Sequence, residues 1–269
     1  MRLRALTSYW GVVRIAARED SANPKRIAAS VALGVLRLGL LAAIYKVAYH
    51  VSDGDIALSY ANVIWSMGLY FAFIVGLNVR GVFKWVETDI KDGSVEMGLV
   101  RPLDWRLVKL CQQLGKNIIE CLVLVAAFAG TLFIMVGAPN MAHATPGFWL
   151  GWLTLAALMV VTAGAMYLCV GLVAFWLNDA QSVYRLIDKT VMIFGGAFVP
   201  VALLPDGIQT VLRYTPFGIF GASTQLFNPG LATHLVPTII SGVVWSIVLI
   251  LTCQWIWHAA QRRIEVNGG

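Results

Sequence analysis

Arg37 sits in the middle of an apolar run, with Leu33, Val35 and Leu36 before it and Leu38, Leu40 and Leu41 after it. On insertion scales an arginine at the centre of a spanning helix costs about +2.5 to +3.5 kcal/mol, and each neighbouring Leu, Ile or Val offsets roughly 0.3 to 0.6. The helix therefore inserts, and Arg37 faces other helices or a water-filled path, because lipid offers it no partner. Glu120 is the acid placed to meet it, or to meet Lys116 at the i, i+4 spacing. Two kinds of chemistry follow: an ion pair that fastens helices together, or a charged contact to a solute on the path.

Catalytic groups are scarce. Gly115-Lys116 is followed by Asn117 and lacks the earlier glycine of a phosphate-binding loop, so the chain has no nucleotide site of that type. His50, His143, His234 and His258 fall in loops or at helix ends, away from any serine or pair of acids. Ser223, in GASTQ, lacks a base to activate it. Cys111, Cys121, Cys169 and Cys253 have neither paired spacing nor a histidine cluster, which argues against zinc and leaves them as small core residues. The sequence assigns no catalytic residue, metal ligand or cofactor to this chain.

Helices that cross a bilayer must position these residues. Hydrophobic side chains make up 59% of the 269 residues and charged ones 13%, against roughly 25% charged in a soluble domain. A hydrocarbon core of about 30 Å needs about 20 helical residues. The runs that qualify are 27–49, 58–82, 117–136, 148–177, 191–204 with a charged lead-in from Tyr184, and 235–258. The first starts too late and is too long for a cleaved signal peptide, and it carries Arg37. The expected fold is all-α, a single transmembrane domain over 1–269 with six spanning helices.

Basic residues divide the connections. Arg14, Arg18, Lys25 and Arg26 precede the first span, and Lys84, Lys91, Arg101, Arg106, Lys109 and Lys116 lie between the second and third. Arg185, Lys189, Arg262 and Arg263 fall on the same side, whereas the other holds only Lys46 and Arg213 among bases, with Asp53, Asp55 and Asp206. The positive-inside rule then puts both termini in the cytoplasm. The net charge of +6 suits anionic headgroups and needs no nucleic acid. Within 1–24, Leu3, Leu6, Trp10, Val13 and Ala17 share one face and Arg4, Arg14 and Arg18 another. That is the pattern of an amphipathic interfacial helix, lying on the inner leaflet or on a partner protein.

The most polar interior stretch, 89–104, reads DIKDGSVEMGLVRPLD. It lies in a cytoplasmic loop of about 30 residues, where connections in helix bundles usually have 2–8. Ser94 suits the cap of a short helix that Pro102 ends. The charges are mixed, with Glu87, Asp89, Asp92 and Glu96 against Lys84, Lys91, Arg101 and Arg106. Lipid contact alone favours bases, so the acids point to a protein partner. Later, in FGGAFVPVALLPDGIQTVLRYTPFG, Gly195-Gly196 and Pro200 should break the fifth span, which is tolerated only where protein or water meets the freed backbone. The break lines an outer gate or is an ordinary kink.

Ile90, Gly93, Ser94, Val95, Glu96, Leu99, Arg101 and Pro102 resemble the signature that follows the second span in permease subunits of the ABC-2 type, closest to the six-span branch called ABC-2 family transporter proteins. Gly195, Gly196, Pro200, Pro205, Pro216 and Phe217 are similar to the place where that family's fifth span gives way to short re-entrant helices in the outer leaflet. The resemblance implies the permease subunit of an ATP-driven exporter in a bacterial cytoplasmic (inner) membrane. It implies a second permease, identical or homologous, and two copies of an ABC ATPase subunit that bind the ATP and Mg.

On that likeness 84–110 is a cytoplasmic coupling segment, in which Glu87, Asp89, Ile90, Lys91, Asp92, Gly93, Ser94, Val95 and Glu96 form a coupling helix seated in the ATPase. Gly195, Gly196, Pro200, Pro205, Pro216 and Phe217 then belong to the outer gate. Arg37 and Glu120 are the charged groups on or beside the path. A different reading, a membrane scaffold or a substrate-capture subunit of an uptake system, needs convergent polar side chains within the bilayer, and the sequence offers few.

Overall fold

Apolar runs that open on a capping residue set the frame. The computed structural model describes residues 2–21, 24–51, 58–100, 102–177 and 179–267. Helix α1 covers Arg2–Ser21, and α2 covers Pro24–Val51, opening on a proline at a position where no helical N–H partner is needed. Ser59 accepts the Asn62 amide and starts α3, Tyr60–Tyr70. A π turn at Phe71–Val75 and a 3-10 turn at Val79–Gly81 lead into α4, Val82–Lys91, and then α5, Val95–Leu99. Asp104 caps α6, Trp105–Val136, and Thr145 caps α7, Pro146–Leu172, which runs on as a 3-10 turn over Val173–Phe175. The chain continues through α8, Gln181–Phe194, a 3-10 turn at Val201–Leu203, α9, Asp206–Arg213, α10, Gly218–Thr224, and α11, Pro229–Asn267. The described residues contain no strand, as an all-α membrane protein requires.

Five stretches are long and apolar enough to cross a bilayer: Pro24–Val51, Tyr60–Lys91, Trp105–Val136, Pro146–Phe175 and Pro229–Arg262. They match the first, second, third, fourth and sixth expected spans. The fifth differs. Gly195-Gly196 stops α8 after 14 residues, about 21 Å at 1.5 Å per residue. Nor does a loop of about 30 residues separate the second and third spans. Helix α4 prolongs the second, α6 starts at Trp105 rather than near Asn117, and only short turns flank α5 between them. Arg101, Asp53 and Asp55 lie outside the described residues.

Helix α7 is the axis of the bundle. Of its apolar window 67% is buried, against 11% for α2, 22% for α6 and 17% for α11. It packs on α11 and α4, with α10 across one end. Lipid gives helices little hydrophobic reason to associate, so small residues that admit close contact decide where they meet. The ring of Phe128 fills the space a side chain would take at Gly34, and Val86 sits against Gly171. A Cβ on Gly115 would collide with the Val13 carbonyl, so α1 lies along α6 in backbone contact. The face expected for α1 is divided: Val13 and Ala17 are partly buried while Trp10 is 67% exposed, and the neighbouring Ala16 is the residue buried against α6. The side chains of Leu3 and Leu6 lie outside the described residues.

Candidate functional site

The polar stretch forms a two-sided foot at the basic end of the bundle. Gly93, at φ 71°, reverses the chain between α4 and α5. On the inner side Glu87 takes Lys91 Nζ at 2.8 Å, and Asp89 Oδ2 takes Trp105 Nε1 at 2.8 Å and Lys109 Nζ at 2.6 Å. Lys109 and Lys116 lie over the Trp85 ring, at 5.3 and 4.4 Å from its centroid. Val95 is buried and Ile90 packs on the core. The contacts of Asp89 and Trp85 staple α4 to α6. On the outer side Lys91, Asp92, Gly93 and Glu96 are exposed, and Ser94 is half-buried. Ser94 stands at the start of α5 as expected, but its hydroxyl turns back to the Asp89 carbonyl at 3.4 Å instead of capping.

Two residues missing from the sequence-based set share the outer face. Met97 is 73% exposed and Val100 88%. Two bare apolar side chains in an otherwise charged stretch were the available signal. Gly98 lies flat against the Trp105 ring, which stacks on Trp257 of α11 at 5.7 Å. Asp104 Oδ1 accepts the Arg106 amide at 2.9 Å, and its Oδ2 takes Arg106 Nη2 at 2.6 Å. Burial raises the Asp104 carboxyl and the Arg106 hydrogen bonds and charge outweigh that, so it is held below the usual carboxylate value. Arg106 also donates to Gln254 at 3.2 Å, which ties the root of the foot to α11.

Above the foot the second span is broken. Asn78 adopts φ 44°, a left-handed conformation that asparagine tolerates better than most residues. Its carbonyl accepts Gln113 Nε2 at 2.8 Å and its side chain accepts Arg80 Nε at 3.2 Å. Arg80 Nη1 reaches both Asp188 oxygens at 3.3 and 3.4 Å, and the Tyr167 hydroxyl donates to Asp188 at 3.2 Å. Phe83 stacks on Tyr184 at 4.5 Å. Charge pair and ring pair together join α4 to α8, and this link did not figure among the sequence-based candidates.

Arg37 and Glu120 do not meet. Arg26 Nη2 lies 2.9 Å from Glu120 Oε2, while Lys116 is engaged with Trp85. Helix α6 begins at Trp105, well before Asn117, and the Arg26 contact places Glu120 level with the start of α2 and not with its middle. Arg37 lies exposed on α2.

At the opposite end the six expected gate residues punctuate the broken backbone. Gly195 ends α8 and its carbonyl accepts Thr224 Oγ1 at 3.2 Å; Gly196 follows at φ 91°. Pro200 precedes the 3-10 turn, Pro205 opens α9, and Pro216-Phe217 turns into α10, with Phe217 6.2 Å from Phe194. Tyr45 of α2 donates to the Phe198 carbonyl at 2.8 Å. Beside α9 and α11 lies a cavity of about 280 Å³ whose lining includes Asp206, Gln209, Arg213, Asn228 and His234.

A family model described as ABC-2 family transporter protein matches residues 56–268. The chain belongs to the ABC-2 transporter family. As an ABC-2 family protein it is a multi-pass membrane component of an ABC transporter, its permease subunit, and such permeases associate with an ABC ATPase. No curated protein matches the chain. The ABC-2 match takes in the foot and the broken region; α1 and α2, with Arg37, precede it.

Proposed function

We propose that this permease forms, with a second permease, the path of an ATP-driven exporter, and that the foot is where two ATPase subunits drive it. The foot carries this reading. Its inner acids are consumed by contacts within the chain, which leaves Lys91, Asp92, Glu96, Met97 and Val100 exposed, a mixture of charged and apolar side chains suited to docking a protein. The basic residues at this end support a cytoplasmic placement in a bacterial inner membrane, with both termini on that side. The helix α8 together with the folded-back segments α9 and α10 would complete a sixth crossing. ATP and Mg belong to the partner.

Closure of the ATPases on ATP would shift α4, and Arg80–Asp188 with Phe83–Tyr184 would carry that shift to α8 and the Gly195-Gly196 break. Purification of the detergent-solubilised permease from its native membrane tests the reading. An ATPase bearing a phosphate-binding loop should be retained, and Glu96→Lys should release it. Retention unchanged in that variant, or labelling of a cysteine at Asp92 from outside sealed cells, would remove the assignment.

A further inference from the structure

The face of α2 that no other helix of this chain covers holds an arginine where hydrocarbon accepts none. Leu33, Leu40 and Ile44 lie four before, three after and seven after Arg37, on one stripe, and each is about 60% exposed. Arg37 is near the centre of the 28-residue helix, about 16 Å beyond Arg26 at 1.5 Å per residue. That is roughly half of a 30 Å core, out of range of the snorkelling open to residues near helix ends. Beside this stripe runs the non-helical backbone around Gly196–Pro200, where Phe198 and Val199 are exposed and Tyr45 of α2 makes contact. By the same count Tyr45 lies near the outer interface, so this backbone extends the open wall outward, and Arg37 is what says that the wall does not face lipid. Helices α6 beyond Glu120 and α11 between His234 and His258 are just as open but carry no charged side chain, as lipid-facing surfaces should.

We propose that this wall meets a second copy of the chain across a water-filled path, and that Arg37 from each copy makes the path prefer an anionic substrate, one bearing phosphate, sulfate or carboxylate groups. The inference rests on the paired-permease reading above. The acids of the candidate spans, Glu87, Asp89 and Glu120, and Asp188 of α8 all hold a cation already, so among the described residues of these segments no carboxylate is left for Arg37. Two guanidinium groups repel each other across a two-fold axis. Water and a mobile anion are what remains to balance them.

The test uses the permease with its ATPase in native membranes, its four cysteines replaced by serine. Single cysteines at Leu40 and Ile44 are compared with Ile134→Cys on α6 and Leu251→Cys on α11. Oxidation should link two copies through position 40 or 44 and through neither of the others. Measured against a free thiol in solution, the anionic sulfonatoethyl methanethiosulfonate should modify Ile44→Cys at least about tenfold faster than the cationic trimethylammonioethyl reagent. Arg37→Lys should keep that preference and Arg37→Gln should lose it; if the glutamine variant does not fold, the preference in the Arg37 background still decides. Links through α6 or α11, a dry α2 contact, or modification blind to charge would each overturn the inference while leaving permease pairing intact. No link at any position, with the ATPase still retained, would overturn the pairing as well.

Discussion

Arg80, on the turn that breaks the second span, donates to Asp188 of α8 at 3.3 and 3.4 Å, and Tyr167 donates to the same carboxylate at 3.2 Å. The pair bridges the helix that ends in the foot and the helix that ends at Gly195-Gly196. Removing one member of a buried ion pair costs about 3 to 5 kcal/mol, and side-chain exposures of 27% and 11% place this pair at the lower end. Asp188→Ala is expected to lower the melting temperature in detergent and to uncouple ATP hydrolysis from transport. The exchange Arg80→Asp with Asp188→Arg should recover part of both. A thermal double-mutant cycle reads the coupling, and purely additive losses would refute a latch.

At the foot, outer and inner substitutions should separate. Met97→Ala removes an apolar anchor and should weaken ATPase binding by about 1 to 2 kcal/mol, roughly tenfold in Kd. Glu96→Lys should act mainly on the association rate and its salt dependence. Asp89→Asn, whose partners are Trp105 and Lys109, should lower the melting temperature and leave the affinity of the folded protein close to that of the parent. Surface binding kinetics with the purified ATPase distinguish the two classes.

The Asp104 carboxyl gives a pH signature. Arg106 holds it below the ordinary value near 3.9 against the opposing effect of burial. A carboxyl depressed on folding stabilises fully above its unfolded value, and that stabilisation disappears as pH falls through the folded one. Thermal stability should be level between about pH 5 and 7 and fall below about pH 4. Asp104→Ala should be less stable by about 1 kcal/mol at neutral pH, the worth of an N-cap, and the gap should narrow in acid.

Gly196, at φ 91°, occupies a conformation that strains any side chain. Gly196→Ala should destabilise by about 1 kcal/mol or more, whereas Gly207→Ala, with open space around its Cβ, should change little. Melting curves of the two variants compare backbone strain with simple helix propensity.

The spans were readable because an apolar run of bilayer length has few structural options, and the foot because Gly93, Ser94 and Pro102 punctuate it. What escaped was lateral. Arg80 and Asp188 stand 108 positions apart, and no spacing in the sequence joins them. Glu120 found Arg26 because the depth of α6 is set by where Asp104 starts the helix, a register that apolar periodicity does not record. The inner and outer sides of the foot could not be separated either, since Trp105 and Lys109 select Asp89 through packing and not through spacing.

The brevity of α8 has a consequence for the surrounding membrane. At about 21 Å, its 14 residues fall short of a core of about 30 Å. Acyl chains beside it must compress or tilt to meet its ends, a mismatch that grows with chain length. The five long spans fit an ordinary core, so the mismatch is local, and longer-chain phospholipids should press on the one helix that ends at the Gly195-Gly196 break.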